Sequence, residues 1–512
     1  MKLFLASQIK NWDQFTITTE PIPSIDLMER AASAFVRQFS IRFPDTTHSV
    51  HLIAGPGNNG GDALAIARML HFKGYPLQVS ICEIGSSFSE DFSTNLDRLP
   101  AMDTIQLNRI SEDDPLPNFN HHTILIDGIF GTGLNRPVEG YWAKVIQSMN
   151  KSPGAKVAID IPSGLPAEGP AFGTAFQADY SISFQRPKLS FFLAENAPFV
   201  GQWQAVDIGL ASTFAKKEYS PYFLNRAEDL GLILQKRTAF SHKGSFGHAL
   251  LIAGSYGMLG AAQLCGRACL RSGSGLLTMY APKIAYEVLQ LAIPEAMVEV
   301  DPNTTDIQQV PDLSPYSAVG IGPGIGESSA TASALWQLLK RARQPLVIDA
   351  DALNILAKAP KKLKQIPKNS ILTPHPGEFK RLFGASEDSW EQVHWLQKKS
   401  QELQLIIILK GAHTRIALPN GKIFFNTSGN PGMATGGSGD VLTGILTGLL
   451  AQGYSPEQAA LLGVFLHGSA GDFAREEMGE EALIASDIIL HLGKAFQKLR
   501  HRKSGSKLPN PT

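Results

Sequence analysis

Cysteine is scarce in this sequence, and its few copies are not spaced as pairs. Among 512 residues only Cys82, Cys265 and Cys269 are cysteines. An odd number without a CxxC pattern argues against a disulfide framework and indicates a reducing compartment. No cluster of cysteine and histidine has the spacing of a structural zinc site. Cys265 and Cys269 lie four residues apart, on one face of a helix, and we interpret them as buried apolar residues.

An excess of charge of either sign is also missing. Lys plus Arg and Asp plus Glu both total 46, whereas nucleic-acid-binding domains usually carry a basic excess, so we expect no nucleic-acid partner. The sequence contains no apolar run long enough to cross a bilayer, and the apolar part of its first thirteen residues is too short for a signal peptide. We therefore expect a cytoplasmic protein without a membrane partner.

The chain is too long for one ordinary hydrophobic core, and two or three domains are expected. Short β-branched runs alternate with helical patterns, beginning with a strand–helix–strand unit over 48–82. Such units predict parallel sheets with right-handed crossovers, so the predicted fold class is α/β. A second α/β series starts near 247 and includes a hairpin with Asn420 and Gly421 at its turn. The predicted parts are a first domain at 1–212, a linker at 213–236, a second domain at 237–498 and a disordered tail at 499–512.

A glycine-rich turn, GPGNNGGDA at 55–63, follows the first strand and opens a helix. Backbone N–H groups at such a turn can approach a phosphate, and the helix N-terminus adds partial positive charge. A tight turn without a ligand is the alternative, but Asn58, Asn59 and Asp62 crowd the turn with polar side chains. A nicotinamide dehydrogenase is the weakest alternative, although Gly55, Gly57 and Gly60 have GxGxxG spacing.

Two further predicted strands of the first domain end in a carboxylate, Asp127 and Asp160. Ligands of open α/β sheets bind at the carboxyl ends of the strands. Asp127, Asn59 and Ser163 offer hard oxygen donors that suit a monovalent or a hard divalent cation. Asp160 is a candidate acid–base group or a partner of a ribose hydroxyl. For each carboxylate alone, a helix cap or a loop brace is the alternative.

The densest motif is NPGMATGGSGDVLTGI at 430–445. Gly436, Gly437 and Gly439 precede an apolar helix with Asp440 in its first turn, a pattern that predicts an anion hole for a transferred phosphoryl group. Asp440 is placed to take a proton from a substrate hydroxyl, with a plain helix cap as the alternative. Other predicted strand ends present Lys410, a candidate for nucleotide phosphates, and His375. Asp349 and Asp351 either cap a helix or hold water around Mg²⁺.

The first-domain motifs LMERAA (27–32), GPGNNGGD (55–62), DGIFGTGLNRP (127–137), DIPSG (160–164) and FQRPK (184–188) resemble the NAD(P)H-hydrate epimerase family. The resemblance covers about 1–210. It implies a Rossmann-like three-layer α/β/α domain that interconverts the R and S forms of hydrated NAD(P)H, with Asp160 at the reacting ring and K⁺ held by Asn59, Asp127 and Ser163. Ala63 and Pro166 stand where the family usually has glycine and an acidic residue. The implied dinucleotide contacts are Asn58, Asn59, Gly60, Gly61, Asp62, Gly131, Thr132, Gly133, Leu134, Asn135, Arg136, Pro137 and Asp160.

The GSGD motif, with the PHPGE and DADALN loops, resembles the ribokinase-like NAD(P)H-hydrate dehydratase family over about 235–495. The resemblance implies that a nucleotide's terminal phosphoryl group moves to the hydroxyl of the hydrated ring, with Mg²⁺ at the site, and that phosphate is then eliminated. Asp440 would be the base. The hydrate would contact Ala261, Gly324, His375 and Asp440, and the nucleotide would contact Lys410, Gly411, Ala412, His413, Thr414 and Gly439.

The order of the two domains resembles the bifunctional hydrate-repair family of bacteria, whose members generally use ADP. This resemblance implies hydrated NADH and NADPH (NADHX and NADPHX) as substrates, ADP as co-substrate, and AMP and phosphate as products. We also expect a homo-oligomer. The alternatives are a small-molecule kinase of the ribokinase-like superfamily, which the GSGD motif alone does not exclude, and a nucleotide-sensing protein whose first domain has lost catalysis.

Overall fold

The computed structural model describes residues 1–83, 87–99, 105–112, 114–115 and 119–503. These residues form two compact units, one mainly from 2–220 and the other mainly from 221–512. Each unit is built on its own largely parallel sheet. The predicted fold class, two α/β domains, is confirmed.

The described part of the first domain forms a seven-stranded sheet in the order β3-β2-β1-β4-β5-β6-β7. Every neighbouring pair in it is parallel. The order reverses between β1 and β4, which makes this the switch point where such sheets bind ligands. The strands are β1 (Ser49–Ala54), β2 (Leu77–Cys82), β3 (Gln106–Ile110), β4 (Thr123–Gly128), β5 (Lys156–Ile159), β6 (Tyr180–Phe184) and β7 (Gln202–Val206).

Both faces of this sheet are covered, because successive strand residues point to opposite sides. Leu52 and Ile126 pack into a core with α2 and α3, whereas Ile53 and Leu125 pack into a second core with α5. The domain is therefore the expected three-layer α/β/α structure. Its helices are α1 (Ala6–Thr19), α2 (Ser24–Arg42), α3 (Asn58–Phe72), α4 (Glu90–Arg98), α5 (Gly140–Asn150), α6 (Ala197–Val200) and α7 (Ser212–Lys217).

The second domain contains a ten-stranded sheet in the order β11-β10-β9-β12-β13-β14-β15-β16-β17-β8. Its pairs are parallel except for two, the pairing of β15 with β16 and the predicted hairpin of β16 with β17. Gly421 has the positive φ of 84° that the hairpin turn requires. The strands are β8 (Tyr222–Asn225), β9 (His248–Ile252), β10 (Leu276–Pro282), β11 (Met297–Asp301), β12 (Ala318–Ile321), β13 (Leu346–Ile348), β14 (Ile371–Leu372), β15 (Ile406–Leu409), β16 (Thr414–Ala417) and β17 (Ile423–Asn426).

Two helices of the second domain, α9 and α15, pack closely over the middle of the sheet and share one core with α16 and α17. None of the described helices is long and apolar enough to span a membrane. The helices are α8 (Ala227–Ile233), α9 (Leu259–Arg271), α10 (Tyr286–Ala292), α11 (Ser329–Arg341), α12 (Ala350–Ala357), α13 (Pro376–Phe383), α14 (Ser389–Leu403), α15 (Ser438–Ala451), α16 (Pro456–Met478) and α17 (Ala485–Lys503).

The structure differs from the predicted domain ends. The stretch predicted as a linker, 213–236, contains most of α7 together with β8 and α8, and β8 forms the edge of the second sheet through parallel pairing with β17. Weak hydrophobic periodicity hid this short edge strand in the sequence. Residues 499–503 of the predicted tail continue α17, with Leu499 fully buried, and 504–512 lie outside the described residues.

The contact between α9 and α15 depends on glycine. A Cβ atom at Gly444 would lie 2.1 Å from the carbonyl oxygen of Cys265, so Gly444→Ala must push the helices apart. We expect this change to lower the free energy of unfolding by about 1–3 kcal/mol. Gly493→Ala, in the interior of α17 with nothing within 4 Å of its Cβ position, should raise it by about 0.5–1 kcal/mol. Urea unfolding of both variants checks this, and equal stability of Gly444→Ala and the parent would contradict it.

Candidate active sites

A cavity of about 730 Å³ opens at the carboxyl edge of the first sheet, beside the switch point between β1 and β4. Most of the predicted dinucleotide contacts line it. Gly60 and Gly61 do not line the cavity. A Cβ at Gly60 would lie 1.7 Å from the carbonyl oxygen of Gly55, so the absence of a side chain at Gly60 allows the backbone of the turn to pack closely. Pro137 also lies outside the lining. The predicted residues that do line the cavity are Asn58, Asn59, Asp62, Gly131, Thr132, Gly133, Leu134, Asn135, Arg136 and Asp160.

The three predicted cation ligands come together beneath this cavity. Asp127 is completely buried at the end of β4, and its carboxylate accepts hydrogen bonds from the Ser163 hydroxyl at 2.6 Å and the Ser163 N–H at 2.7 Å. The side-chain amide of Asn59 donates to the carbonyl oxygen of Phe130 at 3.0 Å, and the Ser163 hydroxyl accepts from the Phe130 N–H. Burial raises the pKa of Asp127 to about 6, although the Ser163 hydrogen bonds oppose the rise.

Asp160 follows β5 in the left-handed backbone region, with φ at 64°. Its carboxylate accepts hydrogen bonds from the Phe184 N–H at 2.8 Å and the Ser183 hydroxyl at 3.2 Å. It also forms an ion pair with Lys188, whose Nζ lies 2.5 Å from Oδ1 and whose side chain is only 2% exposed. This network fixes the carboxylate at the rim of the cavity, which Lys188 also lines.

Three charged residues of this cavity, Lys10, Asp13 and Lys188, were missed by sequence reasoning. Lys188 belongs to the FQRPK segment, where a lysine directly after a buried strand was the available signal. Asp13 lies on α1, a helix that no motif marked, and burial and the charge of Asp160 raise its pKa to about 7. Ala63 and Pro166, the two departures from the family pattern, are both buried and neither lines the cavity.

The second domain has a cavity of about 640 Å³ between the β14–β15 edge and the start of α15. It is lined by all but three of the predicted dehydratase residues. Ala261 and Gly324 lie outside the lining but close together, since a Cβ at Gly324 would be 3.1 Å from the Cβ of Ala261. Asp440, the third, is not part of the lining, although its helix neighbour Gly439 is. The predicted residues in the lining are His375, Lys410, Gly411, Ala412, His413, Thr414 and Gly439.

The glycine motif leads directly into α15. Gly437 has φ at 89°, a left-handed conformation that favours glycine, and it is followed by Ser438 as the first helical residue. A Cβ at Gly439 would lie 3.2 Å from the Lys410 Nζ and 3.6 Å from an Asp349 oxygen. The start of α15 therefore lies beside a lysine, and a helix start in such surroundings can bind an anion.

Asp349 organises the charges around this helix end. It is 1% exposed, and its carboxylate accepts a hydrogen bond from the Thr443 hydroxyl at 2.7 Å and pairs with the Lys410 Nζ at 2.9 Å. Glu378 lies 3.8 Å from the same Nζ. Burial alone would lower the pKa of Lys410, but the two carboxylates outweigh burial and leave it raised. Lys410 is therefore held protonated next to the anion-binding helix end.

Asp440 lies in the first turn of α15 and makes no hydrogen bond or ion pair with the described part of the chain. Burial and then the charge of Asp349 raise its pKa to about 7, and Lys410 partly offsets this rise. The group can therefore gain or lose a proton near neutral pH, as a general base requires.

One further polar residue of the second cavity, His467, carried no clear sequence signal. The His467 Nε2 lies 2.9 Å from the backbone oxygen of Ser438 and 3.3 Å from its hydroxyl, and burial lowers the pKa of His467 to about 4. The Asn430 amide donates to Asp472 at 3.1 Å. These contacts join α16 to the glycine motif, although the residues in contact are more than 25 positions apart in the sequence.

Two family models match the chain, one in each domain. The model described as YjeF-related protein N-terminus matches 24–190, and the model described as NAD(P)H-hydrate dehydratase matches 249–492. The fold and the two models thus define a fusion of a YjeF-type domain with a domain of the NAD(P)H-hydrate dehydratase family.

Curated relatives share this arrangement along their whole length. The bifunctional NAD(P)H-hydrate repair enzyme of Moorella thermoacetica is 35% identical over 98% of this chain and 97% of that protein. The enzyme of the same name from Coxiella burnetii is 32% identical over 96% of this chain and 98% of that protein. The enzyme of the same name from Escherichia coli is 33% identical over 91% of this chain and 88% of that protein. The chain belongs to the family of bifunctional NAD(P)H-hydrate repair enzymes. The predicted enzyme class, an epimerase domain followed by a dehydratase domain, is confirmed.

One similar solved structure is the ADP/ATP-dependent NAD(P)H-hydrate dehydratase from Bacillus subtilis, which was co-crystallised with ATP and Mg²⁺. It is 32% identical, covers 54% of this chain and 98% of its own, and has a TM-score of 0.49.

The buried pair of Lys188 with Asp160 yields a stability prediction. Lys188→Met leaves a carboxylate without its cation and should lower the free energy of unfolding of the first domain by about 3–5 kcal/mol. Lys156→Met is the matched control, because its partner Asp179 is 47% exposed and their atoms are 3.6 Å apart. That change should cost at most about 1 kcal/mol. Thermal unfolding of both variants compares the two losses of stability. Similar losses would contradict the prediction that the buried pair contributes more to stability than the exposed pair.

Proposed function

We propose that the chain repairs hydrated NADH and NADPH in two steps. The first cavity epimerises the R and S hydrates, and the second dehydrates the S hydrate with ADP, yielding NAD(P)H, AMP and phosphate. The observation that carries the proposal is Asp440 without a protein partner, in the first turn of an anion-binding helix beside the protonated Lys410. A base and a phosphoryl-binding helix end are the two parts that this chemistry needs.

The dehydration uses the chain's own groups at defined atoms. Asp440 takes the proton of the ring hydroxyl, whose oxygen forms a bond to the terminal phosphorus of ADP while the bond to AMP breaks. Lys410 and the N–H groups at the start of α15 stabilise the negative charge of the transferred group. Phosphate then leaves the ring carbon with the oxygen, and loss of a proton from the neighbouring carbon restores the double bond. We assign the nucleotide to Lys410, Gly411, Ala412, His413, Thr414 and Gly439, and the hydrate to Ala261, Gly324, His375 and Asp440.

The epimerisation is assigned to the first cavity, with Asp160 as an acid–base group at the reacting ring. Lys188 and the Phe184 N–H hold the Asp160 carboxylate in place, which preorganises it for the substrate. Hydration from either face of the ring gives two epimers, whereas a dehydratase that directs one hydroxyl at Asp440 accepts only one of these epimers. An epimerase on the same chain makes the whole damaged pool recoverable.

The residues below the first cavity fit a potassium ion. The Ser163 hydroxyl donates to the Asp127 carboxylate and lies 3.3 Å from the Phe130 carbonyl oxygen, to which the Asn59 side-chain amide also donates. Each of these four groups contains an oxygen atom, the kind of ligand that hard cations prefer. Within the described residues no cationic side chain lies within 4.0 Å of Asp127. We propose that Asn59, Asp127 and Ser163 hold K⁺, which when bound supplies the positive charge that this buried carboxylate lacks.

For Mg²⁺ the chain offers no dedicated cage. Across the described ranges, no group of three or more His, Cys, Asp or Glu side chains is arranged to hold a metal ion. Mg²⁺ often binds mainly through substrate phosphates and water. We therefore propose that Mg²⁺ enters the dehydratase site with the nucleotide, and we assign no protein ligands to it.

The first test supplies both NADH-hydrate epimers with Mg²⁺ and follows the absorbance of NADH, with ADP, with ATP and without nucleotide. Full recovery that requires ADP is the expected result, because only both activities together consume both epimers. Recovery of half the pool would remove the epimerase from the proposal. A stable phosphorylated product without NADH would instead favour a small-molecule kinase.

Asp440 provides the second test of this function. Asp440→Asn should slow the ADP-dependent dehydration about 10²–10⁴-fold while the epimerase of the same chain stays active. The wild-type rate should rise with pH through about 7, since the carboxyl must lose its proton to act as the base. The exposed Asp312→Asn is the matched control and should behave as the wild type. An unchanged rate in Asp440→Asn would rule out this base.

A further inference from the structure

The first helix of the chain contributes one wall of the epimerase cavity. Ile9, Lys10 and Asp13 of α1 line it. The helix is held by Trp12, which is 1% exposed, stacks on Phe214 with an angle of 15° between their planes, and donates its indole N–H to the Ala211 carbonyl at 2.9 Å. Because the residue next to Asp13 is anchored, the backbone of Asp13 is held at the wall of the cavity.

Asp13 has no structural partner that would explain a half-buried carboxylate. It makes no hydrogen bond and no ion pair with any described residue, whereas Asp160 in the same cavity has three partners. A carboxylate that lines a cavity and has no partner among the described residues is available to a ligand. The carboxylate faces the space in which the substrate would bind.

The electrostatic surroundings of Asp13 come from several elements. Burial and the negative charge of Asp160 raise its pKa to about 7, and the positive charge of Lys188 limits the rise. Asp13 can thus hold or release a proton near neutral pH, whereas Asp160 is paired with a cation. The charged groups that face the cavity around Asp13 are Lys10, Asp62, Arg136, Asp160 and Lys188.

Epimerisation of the hydrate demands a proton donor as well as an acceptor. Addition of water to an enamine places the hydroxyl on the carbon next to the ring nitrogen. Inverting this carbon requires its C–O bond to break, with the nitrogen lone pair forming a C=N⁺ bond, and water to add to the opposite face. The departing oxygen must receive a proton to leave as water, and the incoming water must lose one.

We propose that Asp13 is a second catalytic residue of the epimerase site and donates the proton to the departing hydroxyl. Asp160 accepts the proton of the water that adds to the other face, and solvent in the cavity returns that proton to Asp13. No oxidant or other reactant is consumed. The proposal rests on the epimerase function proposed above. It also makes α1 part of the catalytic unit, although the family model matches only from 24 onward.

The test starts from a single purified NADH-hydrate epimer, without nucleotide so that the dehydratase is silent, and follows the other epimer by chromatography. Asp13→Asn should lower the rate about 10²–10⁴-fold, and Asp13→Glu should retain part of it. Asp26→Asn, an exposed carboxylate on α2, is the matched control. ADP-dependent dehydration of the S epimer should be unchanged in all three variants.

The pH profile separates a proton donor from a structural residue. The wild-type epimerisation rate should fall as pH rises through about 7, because the donor loses its proton, and this falling limb should be missing from the residual rate of Asp13→Asn. A rate for Asp13→Asn within twofold of the wild type would overturn the proposal. A wild-type rate that does not fall between about pH 6 and 8 would also overturn the proposal, and this measurement does not depend on whether the variant folds. A wild type that interconverts no epimers would refute the epimerase function itself.

Discussion

Parallel strands end at a common edge, and the rest of both active sites depends on this constraint. In the first sheet, β1, β4 and β5 are adjacent, so the turn after β1, the carboxylate of Asp127 and the carboxylate of Asp160 must meet, although long stretches of chain separate them. In the second sheet, β13, β14 and β15 are likewise adjacent and bring Asp349, Glu378 and Lys410 together. The helices on each face bury the strands and leave this edge as the place where polar groups can face a ligand.

The same constraint explains which parts of the sites could be predicted from sequence. Glycine-rich turns and carboxylates at strand ends are local signals, and the turn at Asn59, the proposed cation ligand Asp127 and the helix start at Asp440 were found in this way. Contacts between distant segments leave no such signal. Thr443 reaches Asp349 across 94 positions of the sequence, and α1 approaches the cavity through packing alone. The edge strand β8 was missed because pairing with β17, not its own pattern, makes it a strand.

Burial of charge shapes both sites in the same manner. Each contains a lysine that is largely removed from solvent and paired with a strand-end aspartate, Lys188 with Asp160 and Lys410 with Asp349. Such pairs are costly to desolvate and gain little net stability over apolar packing, but they fix the positions of their members. In an active site this rigidity has a use, because a preorganised charge need not reorient as the reaction proceeds.

A second carboxylate without a partner accompanies each pair, Asp13 in the first domain and Asp440 in the second. For both, burial is the largest cause of a raised pKa, the paired aspartate adds to the rise, and the lysine opposes it, with a pKa of about 7 as the result. Asp62 shows what happens without a cation. Burial and neighbouring carboxylates alone raise its pKa well above the ordinary value, and no lysine moderates the rise. The lysine of each pair thus has two effects, since it holds one aspartate in place and keeps the other within the range where a proton can be exchanged at neutral pH.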